Sequence, residues 1–218
     1  GTCVSRGCIP TKVLLQSAKV YSEVLGAKEY GIAVSDAKPD MRVIHQKKMM
    51  AVNSLKFGLD NMLIKPRGID RLQGKARLLD AHTVELVNGE ETRTVTAENI
   101  IIATGSEPAM IPAFHIDKEK IITSDEALNL QEMPEELIIV GAGALGLEFA
   151  DIFSTFGSKV TIVEMMPHVV PTLKDLEITG AVGKYMEKNG ITLKCGSGIQ
   201  SIQVQENGRV CCELANGE

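Results

Sequence analysis

One stretch constrains the fold more than any other: residues 136–164, ELIIVGAGALGLEFADIFSTFGSKVTIVE. ELIIVG reads as a buried strand, with Leu137 to Val140 a continuous apolar run. Gly141, Gly143 and Gly146 then form G-x-G-x-x-G directly before a helical pattern with Leu145, Phe149, Ile152, Phe153 and Phe156 on one side, and KVTIVE reads as the next strand. In a strand-turn-helix the first glycine permits the tight turn and the second lets a pyrophosphate approach the backbone. The third allows close helix-strand packing. The helix N-terminus meets the phosphates with unsatisfied N–H groups and the positive end of its dipole. The blander alternative is a glycine-rich turn that binds nothing.

Glu164 ends the second strand, close to the offset of about 20 residues at which an acid accepts the adenine-ribose 2′-hydroxyl. A carboxylate there repels a 2′-phosphate, and no arginine follows in EMMPHVV, so NAD(H) is favoured over NADP(H). A solvated acid at a strand end is the competing reading. The alternation continues through KDLEITGAVGKYMEKNG, a helix, and ITLKCG, a strand. The fold class is therefore α/β, with a Rossmann-like, doubly wound parallel sheet.

Upstream the pattern differs. Pro10 suits a first helical turn, and Leu14, Ala18, Tyr21 and Leu25 follow at helical spacing until Gly26. Met41, Ile44, Val52, Leu55, Leu59 and Met62 trace a second amphipathic helix that ends near Pro66 and Gly68. Between residues 69 and 103 the runs IDRLQ, ARLLD, TVELV and RTVTA, with Asn88-Gly89 between the last two, read as a small antiparallel meander. NIIIATG then suits a strand buried on both faces. Two prolines in SEPAMIPAFHIDKEK place a domain boundary there, giving domains 1–111 and 112–218. The chain opens on Gly1 without a methionine, and VCCELANGE ends on a hairpin signal, Asn216-Gly217, with no strand after it. The expectation is a piece of something longer.

With 44% hydrophobic residues and a formal charge of −5, the chain is a globular protein with no electrostatic footprint for nucleic acid or anionic lipid. It has neither a bilayer-length apolar run nor a signal-peptide pattern, so a soluble, cytoplasmic protein is expected. Five cysteines are too few and too unevenly placed for a disulfide-stapled scaffold.

Cys3 and Cys8 flank a glycine-containing loop, and Cys8 precedes a first helical turn, where the helix dipole lowers a thiol pKa. Lys12, four residues on, can add to that effect. A thiol-disulfide exchange pair, a metal site and two unpaired cysteines all remain open on these residues. A metal is disfavoured because no Cys or His follows at ligand spacing; His45, His82, His115 and His168 are scattered.

GTCVSRGCIPTKVLL, IIIATGSEP, LIIVGAGALGLEFA and VTIVEMMPHVVP, in this order and at these separations, resemble the pyridine nucleotide-disulfide oxidoreductase family over essentially the whole chain. The resemblance implies that Cys3 and Cys8 form a redox disulfide. In it Cys3 is the interchange thiol that attacks the substrate disulfide, and Cys8 the thiol in contact with the flavin ring. Lys12 matches a lysine beside the flavin, and Glu148 the glutamate that partners it. Ala103, Thr104 and Gly105 match a turn that closes over FAD. Residues 1–111 then belong to a partial FAD-binding domain, and 112–218 to an NAD-binding domain.

The implied reaction passes electrons from a dithiol such as dihydrolipoamide through the disulfide and FAD to NAD⁺. The implied partners are a lipoyl-bearing subunit of a 2-oxo acid dehydrogenase or glycine cleavage complex and a second copy in a homodimer. Alternatives are an NAD(P)H-dependent disulfide or mercuric reductase, and a non-catalytic NAD(H)-binding fragment. Compared with the family, the chain lacks the N-terminal motif for the ADP half of FAD, a second flavin contact region and the interface domain with its His-Glu base. None of the four histidines maps to that base. Ala142 and Ser5 replace a common Gly and Asn.

Overall fold

A computed structural model describes residues 1–218. Helices α1 (Thr2–Arg6), α2 (Cys8–Gly26) and α3 (Met41–Gly58) come first, followed by strands β1 (Lys75–Leu78), β2 (Thr83–Asn88) and β3 (Glu91–Thr96). The single-turn helix α4 (Ser124–Ala127) precedes β4 (Glu136–Val140), α5 (Ala144–Thr155), β5 (Lys159–Glu164), α6 (Leu176–Lys188) and β6 (Thr192–Cys195). A hairpin of β7 (Ile199–Val204) and β8 (Val210–Leu214) follows. Residues 1–2 with 53–106 form one compact unit, and residues 3–52 with 107–218 form another. The long N-terminal helix α2 thus groups with 107–218.

In the first unit β1, β2 and β3 pair antiparallel in that order, with Val84 opposite Val95. Gly89, at φ +62°, makes the turn that the Asn88-Gly89 signal predicts. Two expectations are corrected here. IDRLQ forms no strand, and neither does NIIIATG: Ile101 is 89% exposed and Ile102 70%. Apolar character alone does not make a strand, because a strand must share a hydrogen-bonding ladder and no sheet of this chain includes these residues. Leu55, Leu59 and Met62, expected on a buried face, are also exposed.

In the second unit β4, β5 and β6 form a parallel sheet in which Ile139 stands beside Ile162 and Ile162 beside Leu193. The central strand β5 carries the deepest residues, Val160, Ile162 and Val163. The edge strand β4 is less buried than its apolar run suggests. Leu137 and Ile139 pack on the core, while Ile138 and Val140 point away and stay exposed. Helix α5 buries Leu147, Phe149, Ala150, Ile152 and Phe153, and Phe156 follows at its end. Leu145 is a correction: it sits in the first turn of α5 and remains exposed.

Leu14 and Ala18 bring α2 into the same core, and the Tyr21 ring lies 6.1 Å from that of Phe156. Helix α3 buries Val52 as expected, and Met41 and Ile44 pack against the core, but two polar residues that the apolar pattern does not mark, His45 and Lys48, are buried with them. The polar pair is there because it meets the main chain just beyond α4: Lys48 Nζ donates to the Leu128 carbonyl, and His45 Nε2 lies 2.6 Å from that of Leu130. The β7–β8 hairpin turns at Asn207-Gly208, with Gly208 at φ +78°; β7 and this turn go unread in the sequence.

Candidate active site

The stretch around the first two cysteines is more ordered than a loop. Residues Thr2–Arg6 make a helical turn, Gly7 interrupts it, and Cys8 is the first residue of the 19-residue α2. Pro10 falls in that first turn, where a missing N–H costs nothing. Thr11 fastens the start of the helix, its N–H and its hydroxyl both donating to the Gly7 carbonyl, at 3.2 and 2.7 Å. Cys3 and Cys8 are bonded to each other, with Cα atoms 4.7 Å apart, and both residues are exposed. The bond is thus open to a second thiol, and Cys8 occupies a helix N-terminus, where the dipole favours a thiolate once the bond opens.

The other cysteines are unlike this pair. Cys195, Cys211 and Cys212 are free. Burial pushes the thiol of Cys195 up, and Glu164 adds to the effect; burial does the same at Cys212. Neither is a ready nucleophile.

Lys12 projects from the next turn of α2 and pairs with Glu148 of α5. The ion pair joins two packed helices. Glu148, two residues beyond Gly146, is the less exposed partner at 29%. Along the same two helices runs a groove of about 590 Å³ that takes in Lys12, Gln16, Lys19 and Asp151. Burial raises the pKa of the Asp151 carboxyl.

The glycine turn at the start of α5 has separable requirements. Gly141 is at φ +103° and donates to the Val163 carbonyl at 2.8 Å, prolonging the β4–β5 ladder. A Cβ on Gly146 would strike the Gly141 carbonyl oxygen, so the third glycine is demanded by the protein itself. A Cβ on Gly143 would meet nothing within 4 Å. No side chain caps α5 at Gly143. The open space at the second glycine and the uncapped N–H groups behind it fit an incoming pyrophosphate.

Glu164 is not a solvated acid, being only 6% exposed. One carboxylate oxygen accepts from the Ala142 N–H at 2.8 Å and the other from the Met166 N–H at 2.9 Å. Each oxygen keeps a lone pair for a ribose hydroxyl. The first unit contains the third predicted cluster, Ala103, Thr104 and Gly105. Gly105 is at φ +86°, and a Cβ there would come within 2.6 Å of Thr2 Oγ1, which also accepts from the Ser106 N–H at 3.4 Å. The turn is one that glycine alone fits.

The second unit therefore contains Cys3 on α1, Cys8 and Lys12 on α2, Glu148 on α5, the three glycines at the β4–α5 turn and start of α5, and Glu164 at the end of the central strand β5, while Ala103, Thr104 and Gly105 belong to the first unit. The sequence reading missed Arg6, whose guanidinium lies 2.9 Å from Asp125, since no local pattern links residues 119 apart. It also missed the capping box in TSDE. The Glu126 carboxylate accepts from both the N–H and the hydroxyl of Thr123, and the Asp125 N–H donates to that hydroxyl.

A family profile described as pyridine nucleotide-disulphide oxidoreductase matches residues 1–218. The chain is 39% identical to a dihydrolipoyl dehydrogenase of Chlorobaculum parvum, over 100% of this chain and 46% of the relative. It is 37% identical to a dihydrolipoyl dehydrogenase of Bacillus subtilis, over 91% of this chain and 44% of the relative. Among solved structures it resembles the HOCl-induced flavoprotein disulfide reductase RclA from Escherichia coli, at 28% identity and a TM-score of 0.78, over 100% of this chain and 45% of that one. The chain spans about half the length of the curated relatives it matches.

Proposed function

Because the chain belongs to the pyridine nucleotide-disulphide oxidoreductase family, we propose that the protein it comes from oxidises a dithiol, dihydrolipoamide, with NAD⁺ through the Cys3–Cys8 disulfide and FAD. One observation supports this above all. The disulfide sits at the N-terminus of α2 and the dinucleotide-type turn at the N-terminus of α5, and Lys12 and Glu148 pair those two helices. A dithiol-reactive bond and a nucleotide turn thus share one scaffold.

In the proposed reaction one substrate thiolate attacks Cys3 Sγ, the Cys3–Cys8 bond breaks, and Cys8 leaves as a thiolate favoured by its helix end. The second substrate thiolate displaces Cys3 from the mixed disulfide, releasing lipoamide and leaving two electrons on the protein thiols. FAD would carry that electron pair on to NAD⁺ as hydride, so that the balance is dihydrolipoamide and NAD⁺ to lipoamide, NADH and a proton. Lys12 and Glu148 are assigned to orient the flavin side of the site. Ala103, Thr104 and Gly105 close over FAD, and Gly141, Gly143, Gly146 and Glu164 hold NAD.

In this reading residues 1–111 are part of an FAD domain and 112–218 an NAD domain. The protein works in the cytoplasm as a homodimer that serves a lipoyl-bearing subunit of a 2-oxo acid dehydrogenase or glycine cleavage complex. No helix is long and apolar enough to cross a membrane. A second reading is reduction of a disulfide or mercuric ion at the expense of NAD(P)H, and the likeness to a flavoprotein disulfide reductase favours its disulfide form. Turnover by the full-length protein tests both. Dihydrolipoamide oxidation should prefer NAD⁺ to NADP⁺ and should fall to background in Cys8→Ser; turnover that survives the substitution overturns the proposal, and a strong NADPH preference overturns the coenzyme assignment.

A further inference from the structure

Cys3 and Cys8 stand on different elements, and those elements have different anchors. Cys8 begins α2, which is held in the core by Leu14 and Ala18. Cys3 is on α1, which buries no residue. Arg6, the last residue of α1, reaches Asp125 at 2.9 Å and Glu107 at 4.0 Å. Asp125 lies in α4, and α4 is braced in turn. Its Asp125 carbonyl accepts from Asn129 Nδ2 at 2.8 Å, and Asn129 Oδ1 accepts from Lys48 Nζ at 2.8 Å. Lys48 is 2% exposed and also donates to the Leu128 carbonyl. A continuous polar strut therefore runs from the helix between the two cysteines, through α4, to a buried ammonium on α3.

Resting on the redox assignment above, we propose that Arg6 and Asp125 are positioning residues for the disulfide, holding α1 in place when the Cys3–Cys8 bond opens. While the bond is closed, α1 is fastened covalently to α2. Once a dithiol reduces it, the strut remains at the C-terminal end of α1, while at the other end the Thr2 hydroxyl accepts from the Ser106 N–H at 3.4 Å. Two thiols held near each other re-form their bond more readily, because their effective concentration is high. Removing the strut lets α1 drift, lowers that concentration and makes the disulfide easier to reduce.

A simple charge effect predicts something else. A guanidinium near a thiolate stabilises the reduced form, so its loss would make the disulfide harder to reduce, and loss of Asp125 would do the reverse. The strut predicts the same direction for both.

The test is a redox titration of the full-length holoenzyme in dithiothreitol buffers, with Cys3 and Cys8 read by alkylation and mass spectrometry. In each step the protein disulfide takes two electrons to become two thiols while dithiothreitol becomes its cyclic disulfide. Arg6→Met and Asp125→Asn should each weaken the disulfide about tenfold, moving its midpoint about 30 mV less negative. The charge-reversed pair Arg6→Asp with Asp125→Arg should move it back towards the wild type, and Arg6→Lys should give an intermediate value. Opposite shifts in the two single variants, no shift, or no recovery in the reversed pair overturns the strut. If the wild-type pair does not titrate at all, the redox assignment falls and takes the strut with it. If it titrates but ignores Arg6, the strut alone falls.

Discussion

At the scale of single residues, the three glycines before α5 carry unlike burdens, and substitutions separate them. A methyl group on Gly146 must displace the Gly141 carbonyl, so Gly146→Ala should lose about 1–3 kcal/mol of stability and NADH affinity with it. Gly143 has open space beyond its Cα, so Gly143→Ala should unfold in urea like the wild type while losing NADH affinity. Parallel urea melts and NADH fluorescence titrations check both outcomes. Gly143→Ala that binds NADH as well as the wild type would remove the second glycine from the phosphate site.

These residues were legible because their spacing encodes a backbone conformation. Cys3 and Cys8 were legible only as a pair of thiols: their spacing disfavoured a metal and on its own favoured two unpaired cysteines over an exchange pair, and resemblance had to decide. Arg6 and Asp125 were not legible, since nothing in a local window connects a helix between two cysteines to a turn far along the chain.

At the scale of elements, α4 is one turn long and depends on its cap. Thr123→Ala removes the hydroxyl that both serves the Asp125 N–H and donates to Glu126, and should cost about 1 kcal/mol in urea unfolding at neutral pH. The Thr123 hydroxyl and N–H hold the Glu126 carboxyl below its ordinary pKa of 4.5. A carboxyl whose pKa is lowered by folding stabilises the native state above its unfolded pKa and loses that contribution as pH falls through the lowered value. The gap between wild type and Glu126→Gln should therefore be full at pH 6–7 and shrink in acid below about 4.5; a gap that widens on acidification contradicts the cap.

The same scale shows why apolar pattern misleads. NIIIATG has the composition of a central strand but no ladder partner in this chain, and β4 alternates, with Leu137 and Ile139 half-buried on one face and Ile138 and Val140 exposed on the other. On α3 and the turns after it the spacing of Leu55, Leu59 and Met62 predicts a greasy stripe, whereas the interior takes Val52 with His45 and Lys48, whose Nε2 and Nζ meet main-chain carbonyls. Burial still lowers the pKa of Lys48.

At the scale of the whole molecule, the βαβ order, the parallel direction of β4, β5 and β6 and the Asn88-Gly89 hairpin were all readable, because each rests on a local signal. The grouping of α2 with residues 107–218 was not, since it follows from packing of Leu14, Ala18 and Tyr21 against α5 and the residues beyond it. That packing is what brings a disulfide and a nucleotide turn onto one scaffold, and the functional proposal depends on it. Thiol counting on the full-length protein tests that proposal most directly. Anaerobic incubation with dihydrolipoamide, followed by alkylation and mass spectrometry, should add one label to Cys3 and one to Cys8, and excess NAD⁺ should erase both. Turnover that proceeds while Cys3 and Cys8 stay unlabelled would contradict the account.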